Sequence, residues 1–179
     1  MVESMSSPRE RLLRTSTDLF ARQGYNTTGI NQIIAEAEVA KASFYKHFKS
    51  KEDLCVAFLH GRHQYWFDEL ISFTGRENNP KAKVLCSFDF LIHMNEKEHF
   101  GGCSFLNILS EIRTGNTKIL DVIKSHKSDL RVFFFDVVKN KVSADHIYLL
   151  FESCMMESKL FASNELIESA KQYIENLLD

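Results

Sequence analysis

The stretch AKASFYKHFKSKEDL (residues 40–54) gathers Lys41, Ser43, Tyr45, Lys46, His47 and Lys51 around two phenylalanines. The polar groups are hydrogen-bond donors, and several are cationic. A lysine donates well to guanine O6 and N7, and a serine hydroxyl pairs with several base edges. Tyr45, Lys46 and His47 suit phosphates flanking a groove. Ala40 and Ala42 are small enough to let a backbone come close to a duplex. Phe44 and Phe48 are expected to turn back into a small core. Thr28, Gly29 and Lys51 stand at expected helix starts, where backbone N–H groups and the helix dipole favour phosphate. The chemistry open to Thr28, Gly29, Lys41, Ala42, Ser43, Tyr45, Lys46, His47 and Lys51 is therefore the gripping and reading of double-stranded DNA.

A second candidate is Cys103, which follows two glycines at an expected helix start. A helix dipole there would favour the thiolate. One reading is an electrophile- or oxidant-sensing thiol, with Lys159 nearby if its helix lines the same cavity. The other is a small apolar residue packed under a turn. As the nucleophile of a small helical cysteine-dependent enzyme, Cys103 would need a histidine base. Nothing in the sequence orients such a base and no oxyanion motif is visible. No catalytic residue is assigned, and the chain is not expected to be an enzyme. His60 and His63 lie three apart on one helix, but no third ligand stands at metal-site spacing, so neither a metal nor a cofactor is expected.

These residues need helices to position them. Ser7 and Pro8 read as the cap and first residue of a helix that Gly24 ends. Ile30, Ile33 and Ile34 mark a short second helix. Residues 37–39 make a tight break before a third, Ala40 to about His47. Ser50 with Asp53 has the form of a capping box and opens a long helix to about Phe73. Residues 74–80 are a loop, and Pro80 opens a helix to about Lys97. CSFLNILSEI is a short helix, 116–141 a long one that Ser143 follows as the cap of the next, and Ser163 or Asn164 caps the last. The sum is an all-α chain of about nine helices. Residues 1–52 are expected to form a three-helix helix-turn-helix domain, and 53–179 a helical ligand-binding and dimerisation domain. Short helix, break, short helix behind a leading helix is the helix-turn-helix layout.

The middle helices carry Trp66, Phe67, Phe88, Leu91, Cys103, Phe105 and Phe134 as candidates to line a cavity for an apolar or aromatic small molecule. The alternative for the same aromatics is plain core. On 144–162 one apolar stripe contains Phe151, Cys154, Met155 and Phe161, and Leu149, Met156 and Leu160 form another. Two stripes on one helix suggest burial on both sides. With Tyr173 and Leu177 on the last helix, they point to a four-helix interface with a second copy. Phe151, Cys154, Met155, Phe161, Tyr173 and Leu177 are the expected contacts.

Bulk properties agree. Only 7 Gly and 2 Pro in 179 residues leave few breakers, and β-hairpin signals are nearly absent. The net charge of −2 is uneven: residues 8–51 hold eight Lys/Arg against four Asp/Glu. A basic N-terminal part on an acidic remainder suits a polyanion partner for that part alone. The four cysteines contain no CxxC pair, which excludes a zinc-finger spacing and a disulfide framework. No signal peptide and no apolar run near the ~20 residues of a membrane span are visible. The expected compartment is the cytoplasm.

LFARQGYNTTGINQIIAEAEVAKASFYKHFKSKEDL resembles the N-terminal module of the TetR family of bacterial transcriptional regulators, over about residues 9–54. Phe20, Gly24, Tyr25, Thr28, Val39, Tyr45, Phe48, Lys51 and Leu54 fall in register with its motif. Glu38 stands where the family usually has a turn glycine, and Gly29 where it has a capping Thr or Ser. GGCSFLNILSEI resembles a G-C-x-x-x-N-x-x-x-E segment of some members, and LLFESCMMESKLFAS their dimerisation helix. The resemblance implies an obligate homodimer, a DNA operator as partner, an inducer pocket among the middle helices, and repression relieved by the ligand.

Overall fold

The computed structural model describes residues 6–178, and among them every regular element is helical. In chain order these are α1 (Pro8–Gln23), α2 (Ile30–Glu36), α3 (Lys41–His47), α4 (Lys51–Thr74), α5 (Pro80–Lys97), α6 (Ser104–Leu109), α7 (Thr117–Val138), α8 (Lys141–Phe161) and α9 (Glu165–Leu177).

The helix starts are set by side-chain caps that satisfy otherwise unpaired N–H groups. At α1 the Ser7 hydroxyl accepts from Glu10 N (3.2 Å), and the Glu10 carboxylate accepts from Ser7 N (2.8 Å). At α4 the Ser50 hydroxyl accepts from Asp53 N at 3.0 Å. Asn79 caps α5 ahead of Pro80. α8 starts earlier than expected: Asn140 is the cap, accepting from Ser143 N at 3.0 Å, so Ser143 lies inside the helix. Gly24, at φ +87, ends α1 in a conformation that an L side chain avoids.

The chain divides into two compact units. One runs to Arg62 and takes in Ser104–Ile123; the other comprises His63–Cys103 and the chain from Lys124 onward. The unit containing the helix-turn-helix is thus larger than the 1–52 segment, and it borrows α6 and the start of α7. Its core is Leu12, Leu19, Ile33, Ala37, Val39, Phe44, Phe48 and Leu54, where α1, α2 and α3 pack on one another. In the second unit α9 packs on α5 and α8. Trp66, Phe88, Phe90, Phe134 and Phe151 make edge-to-face contacts with centroids 5.1–6.1 Å apart. This aromatic cluster is core, stabilised by area and by ring geometry. No described helix is long and apolar enough to cross a membrane.

α8 has two apolar faces. Ala144, Ile147, Phe151, Cys154 and Met155 point into the protomer. Val142 (63% exposed), Leu149 (61%), Met156 (59%) and Leu160 (71%) point out. The expected interface residues Phe151, Cys154 and Met155 are therefore corrected to core. The outward face is the second stripe, and on α9 Leu166 and Tyr173 are exposed with it. Phe161 and Tyr173 do face solvent, and Leu177 is partly buried. The two stripes are a few positions apart on one helix, so periodicity alone did not say which turned inward.

The break between α2 and α3 is made without glycine. Glu38 takes φ +52 and keeps it through the bond from Val39 N to Ile34 O at 3.1 Å. Arg11 fastens the same turn from α1, donating Nε to Ala37 O (3.1 Å) and Nη2 to Glu38 O (3.2 Å). A left-handed residue bearing a Cβ costs ~1–2 kcal/mol, and glycine returns ~0.4–1 kcal/mol of that as extra unfolded-state entropy. Glu38→Gly is expected to stabilise the protein by ~0.5–1 kcal/mol, read as a raised denaturant midpoint at unchanged slope.

Candidate nucleic-acid interface

α3 is a seven-residue helix with one buried and one open side. Phe44 is fully buried and Phe48 nearly so. Phe44 lies edge-on to Tyr45 with centroids 5.2 Å apart. The remaining positions face outward: Lys41, Ala42, Lys46 and His47 are exposed, Ser43 is half-buried, and Tyr45 is 47% exposed. One element therefore presents two lysines, a histidine, a phenol and a serine hydroxyl together. Arg9 adds its guanidinium over the Phe48 ring at 5.6 Å.

Two residues expected at phosphates are employed differently. Thr28 is fully buried, and its hydroxyl donates to Gly24 O at 2.7 Å. Lys51 donates Nζ to Tyr25 O (2.9 Å) and Thr28 O (3.0 Å), and lies 4.3 Å from the Tyr25 ring centroid. Burial lowers its pKa below that of an ordinary amine, partly opposed by Cys55 and Glu111. The same burial, with Cys55 and Glu52, pushes the Tyr25 phenol up to about 12. Thr28 and Lys51 thus tie the α1–α2 turn to the start of α4. The two carbonyls take up hydrogen bonds of the Lys51 ammonium that a phosphate could otherwise accept. Gly29 is the exposed N-cap of α2 in an extended conformation with open space around it, so a side chain would fit there.

The second candidate also acquires partners. Cys103 is buried, and the amine at its sulfur is that of Lys127, with Nζ 3.4 Å from Sγ. Lys127 is held from behind by both oxygens of Glu152 at 2.7 Å. Their side chains are only 12% and 14% exposed. Burial works against the Lys127 ammonium, but Cys103 and Glu152 outweigh it and hold its pKa above the usual value. Lys159, the expected neighbour, packs against Gly102, the residue before Cys103. Sequence reasoning missed Lys127 and Glu152. The available signal was Glu152 itself, one charge in the apolar run LLFESCMM.

Of the expected cavity residues, Trp66, Phe88, Leu91 and Phe134 are buried in the second unit's core, and Phe105 is buried in the first unit. Phe67 lines an open groove of about 560 Å³ with Ile71, Pro80, Asp129, Val132 and Phe133. His63 meets His126, their Nδ1 atoms 3.1 Å apart, with Asp129 3.9 Å from His63 Nε2. No group of three metal-ligating side chains occurs among the described residues.

Known proteins share this organisation. Residues 12–58 match the family described as bacterial regulatory proteins, tetR family. An uncharacterized HTH-type transcriptional regulator of Lactococcus lactis is 26% identical over 133 residues, 73% of this chain and 67% of that protein. The HTH-type transcriptional repressor NemR of Escherichia coli is 21% identical over 185 residues, covering 95% and 93%. Matches to two Bacillus subtilis regulators are local, spanning 18% and 27% of those proteins. The crystal structure of SCO4454, a TetR-family regulator from Streptomyces coelicolor, superposes with a TM-score of 0.87 at 23% identity, covering 97% of this chain and 89% of that one. The reduced form of E. coli NemR gives a TM-score of 0.79, covering 95% and 96%. Residues 12–58 thus carry the helix-turn-helix module of the tetR family of bacterial regulatory proteins, and the chain along nearly its whole length has the all-helical fold of solved TetR-family regulators.

Proposed function

We propose that the protein is a ligand-responsive repressor that binds a roughly palindromic operator as a homodimer and is released by a small-molecule inducer. The observation that carries this is the outward face of α3, where Lys41, Ala42, Tyr45, Lys46 and His47 stand exposed around a helix anchored by Phe44 and Phe48. Residues 1–52 supply the reading head, and 53–179 bind the inducer and the second copy. The exposed stripe of Val142, Leu149, Met156 and Leu160, with Leu166 and Tyr173, supports the dimer, because apolar rows of this kind are rarely left in water. A two-fold axis would set two α3 helices on major grooves ~34–36 Å apart. Lys41 and Ser43 read bases; Lys46, His47 and Tyr45 hold phosphates.

A second reading concerns the signal. The contact of Cys103 with Lys127, itself braced by Glu152, supports a thiol that answers to electrophiles or oxidants. An ammonium beside sulfur favours nucleophilic attack by that sulfur. One similar protein, NemR, has been crystallised in what is described as a reduced form. The other cysteines suit this role less. Burial pushes the Cys55 thiol up to about 12 and the Cys154 thiol up to about 11; burial also raises Cys86, with help from Asp89 and Glu77.

Four outcomes are expected. On operator DNA recovered from a random-sequence pool, Lys41→Ala weakens binding and relaxes base preference, while Lys46→Ala weakens all sequences alike and flattens the salt slope by about one. Lys51→Ala instead lowers stability by ~2 kcal/mol in chemical denaturation and leaves the salt slope intact. Retention of full affinity by a Lys41→Ala, Lys46→Ala double variant would remove the DNA-reading role of α3. Leu149→Glu with Leu160→Glu converts the dimer to monomer in light scattering and abolishes binding at nanomolar protein; a dimer that persists would place the interface elsewhere. N-ethylmaleimide releases the wild type from DNA but not Cys103→Ser; release of both alike would end the thiol reading.

A further inference from the structure

Glu111 lies beyond the α6 helix, well outside the matched module at residues 12–58. It nevertheless holds the turn that leads into α2. Its carboxylate accepts from Asn26 N at 2.7 Å, and its backbone carbonyl accepts from Asn26 Nδ2 at 2.6 Å. The approach is close enough that a Cβ at Gly24 would come within 2.6 Å of Glu111 Oε1. Gly24 is thus demanded twice, by its φ of +87 and by this contact.

The same short stretch grips the other end of the helix-turn-helix. Asn116 donates to the Glu52 carboxylate at 3.4 Å, and Lys118 donates to Asp53 at 2.8 Å. Residues 111–118 therefore bracket the segment between Gly24 and Asp53, which contains α2, the turn and α3. All of these residues belong to one compact unit.

We propose that Glu111 is a positioning residue for DNA binding, setting the α1–α2 turn and through it the pose of α2 and α3, without touching DNA. This rests on the DNA-binding reading above. The proposal has a sign that a plain charge effect lacks. A carboxylate in a DNA-binding unit repels phosphate, so its removal by electrostatics alone tightens binding. Loss of a positioning contact weakens it.

The experiment measures affinity for DNA selected by the wild type from a random pool, across a salt series, with thermal stability in parallel. Glu111→Ala is expected to bind about ten-fold more weakly with the salt slope unchanged, because no phosphate contact is lost. Glu111→Gln keeps an oxygen for Asn26 N and should recover part of the loss. Asn26→Ala, which loses the separate bond from Nδ2 to the Glu111 carbonyl and keeps the one from N to the carboxylate, should weaken binding in the same sense, and the double variant more than either. Equal or tighter binding by Glu111→Ala overturns the proposal, as does weaker binding matched by a proportionate fall in stability that Glu111→Gln shares in full. Should Glu111→Ala fail to fold, Asn26→Ala carries the same expectation and the same refutation. A wild type that selects no DNA removes the parent reading and this one together.

Discussion

The structure depends most on two rings. α3 is too short to be helical by itself, because a single nucleated turn or two does not recover the entropy of ordering. Phe44 and Phe48 supply the missing stabilisation by burial against Leu12, Leu19, Ile33, Val39 and Leu54. Each fully buried large side chain contributes ~1.5–3 kcal/mol, comparable to the whole deficit of a seven-residue helix. Anchoring also sets direction. With 44 and 48 inward, positions 41, 42, 45, 46 and 47 have nowhere to go but out. The polar outward chemistry of this helix is thus a by-product of which side is greasy.

Around that core, polar groups are used as fasteners. Arg11 spans the turn, Lys51 ties two carbonyls, Thr28 closes on Gly24, and Gln23 bonds Gln32 across α1 and α2 at 2.9 Å. No buried side-chain nitrogen or oxygen is left without a partner among the described residues. A small core of eight side chains tolerates little strain, so full satisfaction matters more here than in a large domain. It also explains how Glu38 is accepted at φ +52: the carbonyls on either side of its nitrogen are occupied by one guanidinium, and a well-held turn can carry ~1–2 kcal/mol of backbone cost.

Much of this was legible in the residues. Caps at Ser7 and Ser50, Pro80 at a helix start, the glycine stop at 24 and the isoleucine spacing of α2 place the first five helices within a residue or two. Helix caps are local, and local chemistry reads directly from sequence. Three things were not legible, each because it depends on three-dimensional register. Lys51 looks like a phosphate ligand until the Tyr25 and Thr28 carbonyls arrive from 23 to 26 residues away. The two stripes of α8 are equally apolar, and only packing against α5 and α9 distinguishes core from surface. Lys127 reaches the Cys103 sulfur from α7, a contact the sequence did not suggest beside Lys159. The family resemblance located the helix-turn-helix module but did not settle these three.

The buried Lys127–Glu152 pair has an energetic meaning of its own. Removing an ammonium and a carboxylate from water costs several kcal/mol per ion, and their attraction in a dry interior often does no more than offset that. Well-packed apolar residues at 127 and 152 would serve stability at least as well. A pair held at 2.7 Å by both carboxylate oxygens, and reaching a sulfur on its far side, is therefore poorly explained as a fastener. What the arrangement does supply is a cation whose position and charge are assured at one atom. Cys103 and the Glu152 carboxylate together keep Lys127 protonated against its burial, which fixes the ammonium at Cys103 Sγ. Replacing Glu152 alone would leave the Lys127 cation uncompensated beside Cys103 Sγ.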